Sequence, residues 1–327
     1  MPKYISEDVY VWLTSRTPPK HRANMKRLLE ECRLEGTRDI IDYSKGLSLT
    51  DTLWVAKSSF DNGWDAVSLF RNEFDETIAR IAFDGGVHGL PFSTTSPEFG
   101  TDGMLPKCWT RDDGVIYLLK GGTSGACNAG REPYSEVLAH QVLDVLEYPH
   151  VPYTVEYYHG RLVSRCKLMT SETEMLLPIY RYYDFKSIGS LLDMCRKDGI
   201  SVGLAQHLVF DYLSWNTDRH AGNLGVILDA DTFELKSFAP IFDNGMSMLN
   251  YWTDAPLDEY VKSCPPALYP DFEYGAVLGK KELGSKHNVQ RLINFKFDRS
   301  LTTGFHEDRL RVIENWLQTR VQAFLSM

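Results

Sequence analysis

The sequence predicts an α+β fold in two lobes, a small mixed α/β N-terminal lobe and a mostly helical C-terminal lobe. Three observations predict it. The length of 327 residues accommodates about two domains of ordinary size. Strand-like runs surround one amphipathic helical segment over residues 114–166, and helical periodicity with a single predicted hairpin dominates the chain from there onward. We expect an N-terminal segment at 1–92 that packs on the small lobe, a small lobe at 93–168 and a mostly helical large lobe at 169–327.

Composition and charge exclude several classes of protein. Hydrophobic residues make up 43% of the chain and charged residues 24%, which excludes disordered and collagen-like sequences. The 35 Lys and Arg against 44 Asp and Glu give a net charge of -9, so we expect no direct binding of nucleic acid. The six cysteines contain no C-x-x-C pair, which is typical of a reducing compartment. Because no apolar run approaches the roughly 18 residues of a membrane span and no signal-peptide pattern is present, we expect a cytoplasmic protein.

Local patterns define the elements of the predicted small lobe. Residues 83–107 are rich in Gly, Pro, Ser and Thr, which indicates a long loop of the kind that is usually functional or disordered. The apolar run 114–120 indicates a buried strand. A helical repeat over 132–147 predicts an α-helix, and two strand-like runs over 154–165 predict a hairpin around His159-Gly160.

The predicted large lobe begins with a helix and a polar loop. Apolar residues recur at helical spacing over 201–215, and the pattern breaks into a polar loop at 216–223. Two strand-like runs at 224–229 and 233–239 predict a second hairpin. One apolar face over 307–325 predicts a C-terminal helix.

The polar side chains of the large lobe point to metal and proton chemistry. The loop reads Asp218-x-x-x-x-Asn223, and Asp243 enters a glycine-containing turn after the predicted hairpin. A magnesium ion that bridges ATP phosphates takes hard oxygen ligands, so Asn223 and Asp243 are candidate ligands. Asp218 would accept or orient the proton of an attacking hydroxyl. His220 is either a proton acceptor or phosphate contact, or a histidine hydrogen-bonded within the loop, and Arg219 either steadies the metal segment or faces solvent.

Upstream residues supply candidate phosphate contacts. Lys120 ends the predicted strand and could place a positive charge against ATP phosphates, and Glu136 on the next helix could hold that ammonium group. The segment 100–107 could cover the phosphates, with Gly100 and Gly103 allowing close backbone approach. Taken singly, each of these residues has a structural explanation at the surface or in a loop. Their order along the chain is that of a two-lobed protein-kinase-like fold.

These residues resemble the HipA-like family of bacterial serine/threonine kinases over roughly residues 93–250. The strongest match is FDYLSWNTDRHAGNLGVI followed by FAPIFDNGMS, where the family shows an N-x-D-x-H-x-x-N loop and an L-A-P-x-Y-D type segment. Weaker matches are TDGMLPKCW, GVIYLLKGG and SEVLAHQV. The D-R-H-x-x-N loop is also that of phosphatidylinositol 3/4-kinase-like enzymes, which have a related fold.

The resemblance implies roles for individual residues, with ATP and Mg²⁺ as cofactors. It makes Asp218 the catalytic base, Asn223 and Asp243 the magnesium ligands, Lys120 the phosphate contact and Glu136 its helix partner. The remaining implied nucleotide contacts are Gly100, Thr101, Gly103 and Lys107 in the phosphate loop and Ser164, Arg165 and Cys166 in the adenine linker. That linker lacks the acidic and aromatic residues expected of the family.

The expected reaction transfers the ATP γ-phosphate to a Ser or Thr hydroxyl of a protein, and an antitoxin-like partner is implied only weakly. Two alternatives stay open: a lipid or small-molecule kinase of the same fold, and a catalytically silent ATP-binding module. Autophosphorylation of Thr94, Thr95, Ser96 or Thr101 would displace the phosphate loop by adding negative charge. The alternative is that these four residues are ordinary polar loop residues.

Overall fold

The computed structural model describes residues 8–19, 22–86, 96–125, 130–253 and 256–327. The chain forms two compact units. The first comprises Met1–Gly122, Glu156–Leu177 and Ile227–Leu235. The second comprises Thr123–Val155, Pro178–Val226 and Lys236–Met327. The lobe boundaries inferred from the sequence, at 92/93 and 168/169, stay predictions.

In the part of the chain that the structure describes, four α-helices precede the first strand, most strands lie within residues 107–178, and helices predominate after them. The α-helices of the described residues are α1 (Val9–Thr14), α2 (Met25–Glu31), α3 (Thr37–Ser44), α4 (Glu76–Asp84), α5 (Glu132–Leu146), α6 (Ile179–Tyr182), α7 (Ile188–Lys197), α8 (Ser201–Ser214), α9 (Leu257–Ser263), α10 (Phe272–Leu283) and α11 (Glu307–Ser326). The strands are β1 (Lys107–Asp112), β2 (Val115–Gly121), β3 (Tyr153–Tyr158), β4 (Arg161–Lys167), β5 (Glu174–Pro178), β6 (Gly225–Asp229) and β7 (Leu235–Phe238).

A four-stranded sheet in the order β1-β2-β4-β3 carries the predicted lysine strand. The predicted strand at 114–120 is confirmed as β2, which pairs antiparallel with both β1 and β4. The predicted hairpin at 154–165 is confirmed as β3 and β4, with His159 and Gly160 at positive φ values of 47° and 74°. Strand β1 was missed because its sequence, KCWTRD, is mostly polar.

Helix α4 packs against this sheet and continues into the N-terminal core. Ala79 and Phe83, one turn apart, pack with Cys108, Leu119 and Val163. The side chain of Asp75 caps the helix by accepting from two backbone N–H groups of its first turn. The neighbouring face of α4 joins a second cluster, whose buried members are Met25, Leu28, Ile40, Ile78, Ile81, Ala82 and Phe99. Helices α2 and α3 therefore share one hydrophobic core with α4.

The second unit is built on helices that the sequence predicted. The helices expected at 132–147, 201–215 and 307–325 are confirmed as α5, α8 and α11. Helix α10, which was not predicted, packs closely on α8. A Cβ at Gly279 would lie 2.8 Å from the carbonyl oxygen of Ala205, so only glycine permits this approach.

A second sheet has the order β5-β6-β7. The predicted hairpin at 224–239 is confirmed as β6 and β7. Its turn is fixed by Asp229, whose Oδ1 accepts from the backbone N–H groups of Asp231 and Thr232 at 3.1 and 2.9 Å. The fold is α+β, as predicted. Among the helices of the described ranges, none has the length and apolar character needed to cross a bilayer.

Candidate active site

The predicted catalytic loop is held in shape by its own asparagines. Helix α8 ends where Trp215 adopts a left-handed conformation, with φ of 55°. The next residue, Asn216, is buried, and its Oδ1 accepts from the Asp218 N–H at 3.1 Å. Asn223 Nδ2 donates to the Asp218 carbonyl at 3.0 Å. The two ends of the predicted D-x-x-x-x-N motif are thus bonded to each other, and the Asp218 side chain lies at the surface.

The predicted metal segment is fixed on both sides of Asp243. Ile241 forms an isolated parallel bridge with His150, and its carbonyl accepts from the Val151 N–H at 2.9 Å. On the other side, the Asn244 N–H donates to Glu136 Oε2 at 2.7 Å. Asp243 itself has φ of 54°, a left-handed conformation that aspartate tolerates better than most side chains.

One buried guanidinium joins the loop to the metal segment. Arg219 is 1% exposed, and its Nη1 donates both to the Asn223 carbonyl at 3.1 Å and to the Phe242 carbonyl at 2.7 Å. Its Nη2 donates to Asn244 Oδ1 at 2.6 Å. Of the two interpretations of Arg219, the structure supports the one in which it steadies the metal segment.

The partner of this guanidinium is an acid on α8 that sequence reasoning missed. Asp211 is fully buried and pairs with Arg219 Nε at 3.1 Å. Burial raises the pKa of Asp211 to about 6, while the charge of Arg219 opposes this shift. An aspartate within the apolar run LVFDYL of α8, eight residues before an arginine, was the available signal.

A buried histidine on the same helix stays neutral. Burial, together with the nearby positive charge of Arg219, lowers the pKa of His207 to about 3. Its Nδ1 lies 2.8 Å from the Gly203 carbonyl, so the neutral ring carries its proton on Nδ1. On α8, Asp211 therefore supplies the negative charge opposite Arg219, and His207 stays neutral.

His220 forms the hydrogen bond within the loop that one of its two interpretations predicted. Its Nδ1 accepts from the Gly222 N–H at 3.0 Å. A Cβ at Gly222 would lie 2.8 Å from His220 Cε1, so the ring position depends on this glycine. The ring lies at the surface beside Asp218, and its role in phosphate transfer stays a prediction.

Lys120 and Lys107 lie opposite each other on the first sheet. Lys120 is near the end of β2, and the register pairs its Cα with those of Lys107 on β1 and Ser164 on β4. Both lysines are largely buried, at 6% and 5% exposure. Lys107 Nζ donates to the Asp102 carbonyl at 2.6 Å. The sheet therefore concentrates two ammonium groups on adjacent strands.

The predicted phosphate loop is anchored by an N-terminal arginine. Buried Arg22 donates to the Thr101 carbonyl at 3.2 Å and to the Lys107 carbonyl at 2.9 Å. Gly100 lies directly against the Leu47 carbonyl, where a Cβ would not fit. Gly103 has φ of 93°, a conformation that favours glycine. These contacts give both glycines a structural role within the first unit.

The predicted phosphorylation sites differ in accessibility. Thr94 and Thr95 lie outside the described residues. Ser96 is buried and donates to Glu98 Oε2 at 2.5 Å. The Thr101 hydroxyl donates to the Pro97 carbonyl at 2.6 Å. Both described hydroxyls would have to leave these bonds before accepting phosphate, and autophosphorylation stays a prediction.

The predicted adenine linker lies inside β4. Ser164 is buried on this strand, and its hydroxyl donates to the Lys120 carbonyl at 3.5 Å. The Arg165 guanidinium stacks 3.9 Å from the Tyr117 ring centroid. Cys166 is buried. The structure gives these three residues packing contacts, and their adenine contacts stay predictions.

Comparison with known proteins identifies a solved structure with a similar fold. No family model and no curated protein matches the sequence. Among solved structures, the chain is similar to HipA of Shewanella oneidensis MR-1, solved in a toxin-antitoxin complex with HipB and operator DNA. The match has a TM-score of 0.57 at 12% identity and covers 96% of this chain and 86% of HipA. The chain has a HipA-like kinase fold. This confirms, for the fold, the resemblance drawn from the motifs.

A second similar structure is the Helicobacter pylori proinflammatory kinase CtkA. It matches at 15% identity with a TM-score of 0.47, over 67% of this chain and 90% of CtkA. At 12% identity, the similarity to HipA shows the fold alone, so substrate and site residues must be argued from the chain itself.

Proposed function

We propose that this protein is a serine/threonine protein kinase that transfers the γ-phosphate of ATP to a protein hydroxyl. One observation carries the proposal. The buried Arg219 binds the backbone at Asn223 and at Phe242, and so holds the candidate loop against the segment that contains Asp243. Phosphoryl transfer depends mainly on positioning and charge neutralisation, and a rigid connection between these two segments supplies positioning.

The donor set fits a magnesium ion. Asn223 and Asp243 offer an amide and a carboxylate oxygen, which are the hard ligands that Mg²⁺ prefers. Asn223 Nδ2 is bonded to the Asp218 carbonyl, and this bond orients the amide so that its oxygen points away from that carbonyl. The bound ion would neutralise charge on the ATP phosphates. Asn223 and Asp243 would hold it, and Glu136 would keep the backbone next to Asp243 in place.

Asp218 is the proposed catalytic base. Its carboxylate lies at the surface, where a substrate hydroxyl can reach it, and its backbone N–H is fixed by Asn216. It would accept a hydrogen bond from the serine or threonine hydroxyl and take the proton as the phosphate is transferred. His220, held by Gly222, would sit beside this exchange.

The remaining nucleotide contacts are proposed on the basis of the resemblance. Lys120 would contact phosphate, with Glu136 as its partner, and the segment 100–107 would contribute backbone N–H groups. The HipA neighbour was solved with HipB. An antitoxin-like protein partner is therefore part of the proposal, together with a protein substrate.

A single labelling experiment tests the function. The purified full chain is incubated with radiolabelled ATP, Mg²⁺ and a cell lysate, in the wild type, in Asp218→Ala and in the control Asp308→Ala, which removes an exposed acid from the first turn of α11. We expect labelled protein bands with the wild type and the control and none with Asp218→Ala, while all three bind nucleotide.

The other outcomes contradict the proposal in different ways. Label in lipids or metabolites without labelled protein would indicate a small-molecule kinase. Nucleotide binding without turnover by the wild type would indicate a silent ATP-binding module. Equal labelling by wild type and Asp218→Ala would remove Asp218 from the catalytic role.

A further inference from the structure

A cluster of two histidines and one aspartate lies at the end of α5, apart from the residues proposed for catalysis. His140 and Asp144 are one helical turn apart and therefore share a face of the helix. His150 follows the helix, and its Nε2 lies 2.8 Å from His140 Nδ1. The Asp144 carboxylate lies 3.7 Å from His140 Nε2 and 3.5 Å from His150 Nε2. One candidate ligand atom from each residue falls within 4.8 Å of the others.

The chain that carries His150 is held in place on both sides. Helix α5 ends at Leu146, where Glu147 turns the backbone with φ of 57°. The Tyr148 hydroxyl donates to the His287 carbonyl at 2.6 Å. Val151 is bonded to Ile241, as described above. The position of His150 relative to α5 is therefore set by the fold rather than by a loose loop.

The tautomer of His150 suits a metal ligand. Its Nδ1 lies 2.8 Å from the Tyr148 carbonyl, which can only accept a hydrogen bond, so Nδ1 carries the proton. In the neutral ring the lone pair is then on Nε2, the atom that faces His140 and Asp144. Metal-binding histidines almost always donate their other N–H to a carbonyl or carboxylate in this way, which fixes the ring for coordination.

Burial divides the cluster into an enclosed half and an open half. The side chains of His150 and His140 are 8% and 17% exposed, while that of Asp144 is 62% exposed. The exposed carboxylate leaves a path for an ion from solvent.

We propose that His140, Asp144 and His150 bind a divalent transition-metal ion of the Zn²⁺ class. Two imidazoles and one carboxylate suit Zn²⁺ and exclude Mg²⁺ and Ca²⁺ as preferred ions, because those bind oxygen-rich sets. Tetrahedral Zn²⁺ with bonds of about 2.0–2.1 Å requires ligand atoms about 3.3 Å apart. The separations at His150 Nε2, 2.8 Å to His140 Nδ1 and 3.5 Å to Asp144, lie on either side of that value. The 3.7 Å contact of Asp144 is to the other ring nitrogen of His140, Nε2, so ion binding requires the His140 ring to rotate and its hydrogen bond to His150 to break. A water molecule completes the coordination.

The bound ion would connect two elements that border the candidate active site. Helix α5 also carries Glu136, which accepts from the Asn244 N–H. His150 forms the bridge with Ile241, two residues before Asp243. An ion bound between His150 and α5 would therefore link both sides of Asp243. On one side it would hold Ile241 through His150, and on the other side α5 already holds Asn244 through Glu136.

Metal titration of the full chain tests the site without any need for phosphotransfer activity. Co²⁺ is added in the presence of excess Mg²⁺, which occupies oxygen-only sites, and the visible absorption is followed. Zn²⁺ is then titrated by calorimetry. We expect one equivalent of Co²⁺ with the intense bands of tetrahedral coordination, displaced by one equivalent of Zn²⁺, and a higher melting temperature with Zn²⁺.

Two variants and one control decide the assignment. Because loss of an outer-shell partner alone costs about 10–100-fold in affinity, His140→Gln/His150→Gln should weaken Zn²⁺ binding by about 100-fold or more, and Asp144→Asn by at least about tenfold. His306→Gln removes an exposed histidine at the start of α11 and should leave the affinity unchanged. Asp144→Asn keeps the test valid if the double variant unfolds, since Asp144 is exposed. Wild-type affinity in Asp144→Asn, or no Zn²⁺ binding by the wild type at millimolar concentration, overturns the proposal.

Discussion

Replacing Arg219 with lysine tests whether its guanidinium holds the candidate site together. Arg219 donates to the carboxylate of Asp211, to the carbonyls of Asn223 and Phe242, and to the side chain of Asn244. Lysine keeps the charge opposite Asp211 but has one nitrogen in place of a planar fork, so it cannot reach acceptors on all three segments. The substitution therefore separates the charge of this residue from its geometry.

The cost follows from the acceptors that lose their donor. If the lysine ammonium stays with Asp211, the carbonyl oxygens of Asn223 and Phe242 lose this donor, while Asn244 Oδ1 keeps its bond from Asn216 Nδ2 at 3.4 Å. Each buried unsatisfied group costs about 1–3 kcal/mol, so Arg219→Lys should lower the free energy of unfolding by about 2–6 kcal/mol. Typical domains have about 5–15 kcal/mol of stability, so the variant should remain folded in dilute buffer with a much lower urea midpoint.

The assay needs a control for general destabilisation. Arg320 is also buried in the second unit, stacks 3.5 Å from the Tyr212 ring centroid and pairs with Glu273. Arg320→Lys should lower stability through the lost stacking on Tyr212 and on Trp215, which precedes the loop, while the four bonds of Arg219 stay in place. Urea denaturation followed by circular dichroism measures stability, and Mg²⁺-dependent nucleotide binding by the folded proteins measures the site. We expect at least tenfold weaker binding in Arg219→Lys and none of this loss in Arg320→Lys.

Two results would refute the reasoning. A wild-type urea midpoint in Arg219→Lys would show that the unpaired oxygens find other donors at no cost. Equal nucleotide affinity in the two variants would show that the Arg219 network stabilises the fold without positioning Asn223 and Asp243.

Three further predictions concern burial in the second unit. Because the pKa of His207 is about 3 in the folded protein and 6.5 as the ordinary value, its stabilising contribution is complete above pH 6.5 and is lost as the pH falls toward 3. Between pH 6.5 and 3, the free energy of unfolding measured with urea should therefore fall more steeply in the wild type than in His207→Gln, by up to ~1.4 kcal/mol per pH unit. Equal slopes for the two proteins would contradict the prediction. Glu136→Ala leaves the Asn244 N–H without its acceptor and should lower the free energy of unfolding by about 1–3 kcal/mol. Glu136→Gln keeps an oxygen at this position and should lower it less. Equal urea midpoints for the two variants would show that this bond does not stabilise the fold. Gly203→Ala would place its Cβ closer to the side chain of Phe238 than van der Waals contact allows and should lower the melting temperature. Gly189→Ala on α7 meets its nearest neighbour at 3.5 Å and should keep or raise the melting temperature. A lower melting temperature for Gly189→Ala than for Gly203→Ala would contradict this packing.

Local sequence patterns predicted the elements that carry the candidate residues. Helices α5, α8 and α11, strand β2 and the two hairpins follow from apolar periodicity and turn residues, because side chains repeat every 3.6 residues in a helix and every two in a strand. The D-x-x-x-x-N motif is equally local, and its closure by the bond from Asn223 to the Asp218 carbonyl spans only five residues. Strand β1 escaped prediction because its mostly polar residues give no such periodicity.

Residues that meet across long stretches of chain could be assigned only from the tertiary structure. The sequence left Arg219 either facing solvent or steadying the metal segment, and its burial against Asp211 and Asn244 decided between them. Glu136 and Asn244 are 108 positions apart, and His140 meets His150 only because the backbone turns after α5. By itself, the sequence determined which elements form and which residue types could serve phosphate transfer, since both depend on neighbours along the chain. The tertiary structure decided which charges are buried and paired, because desolvation and hydrogen bonding depend on neighbours in space.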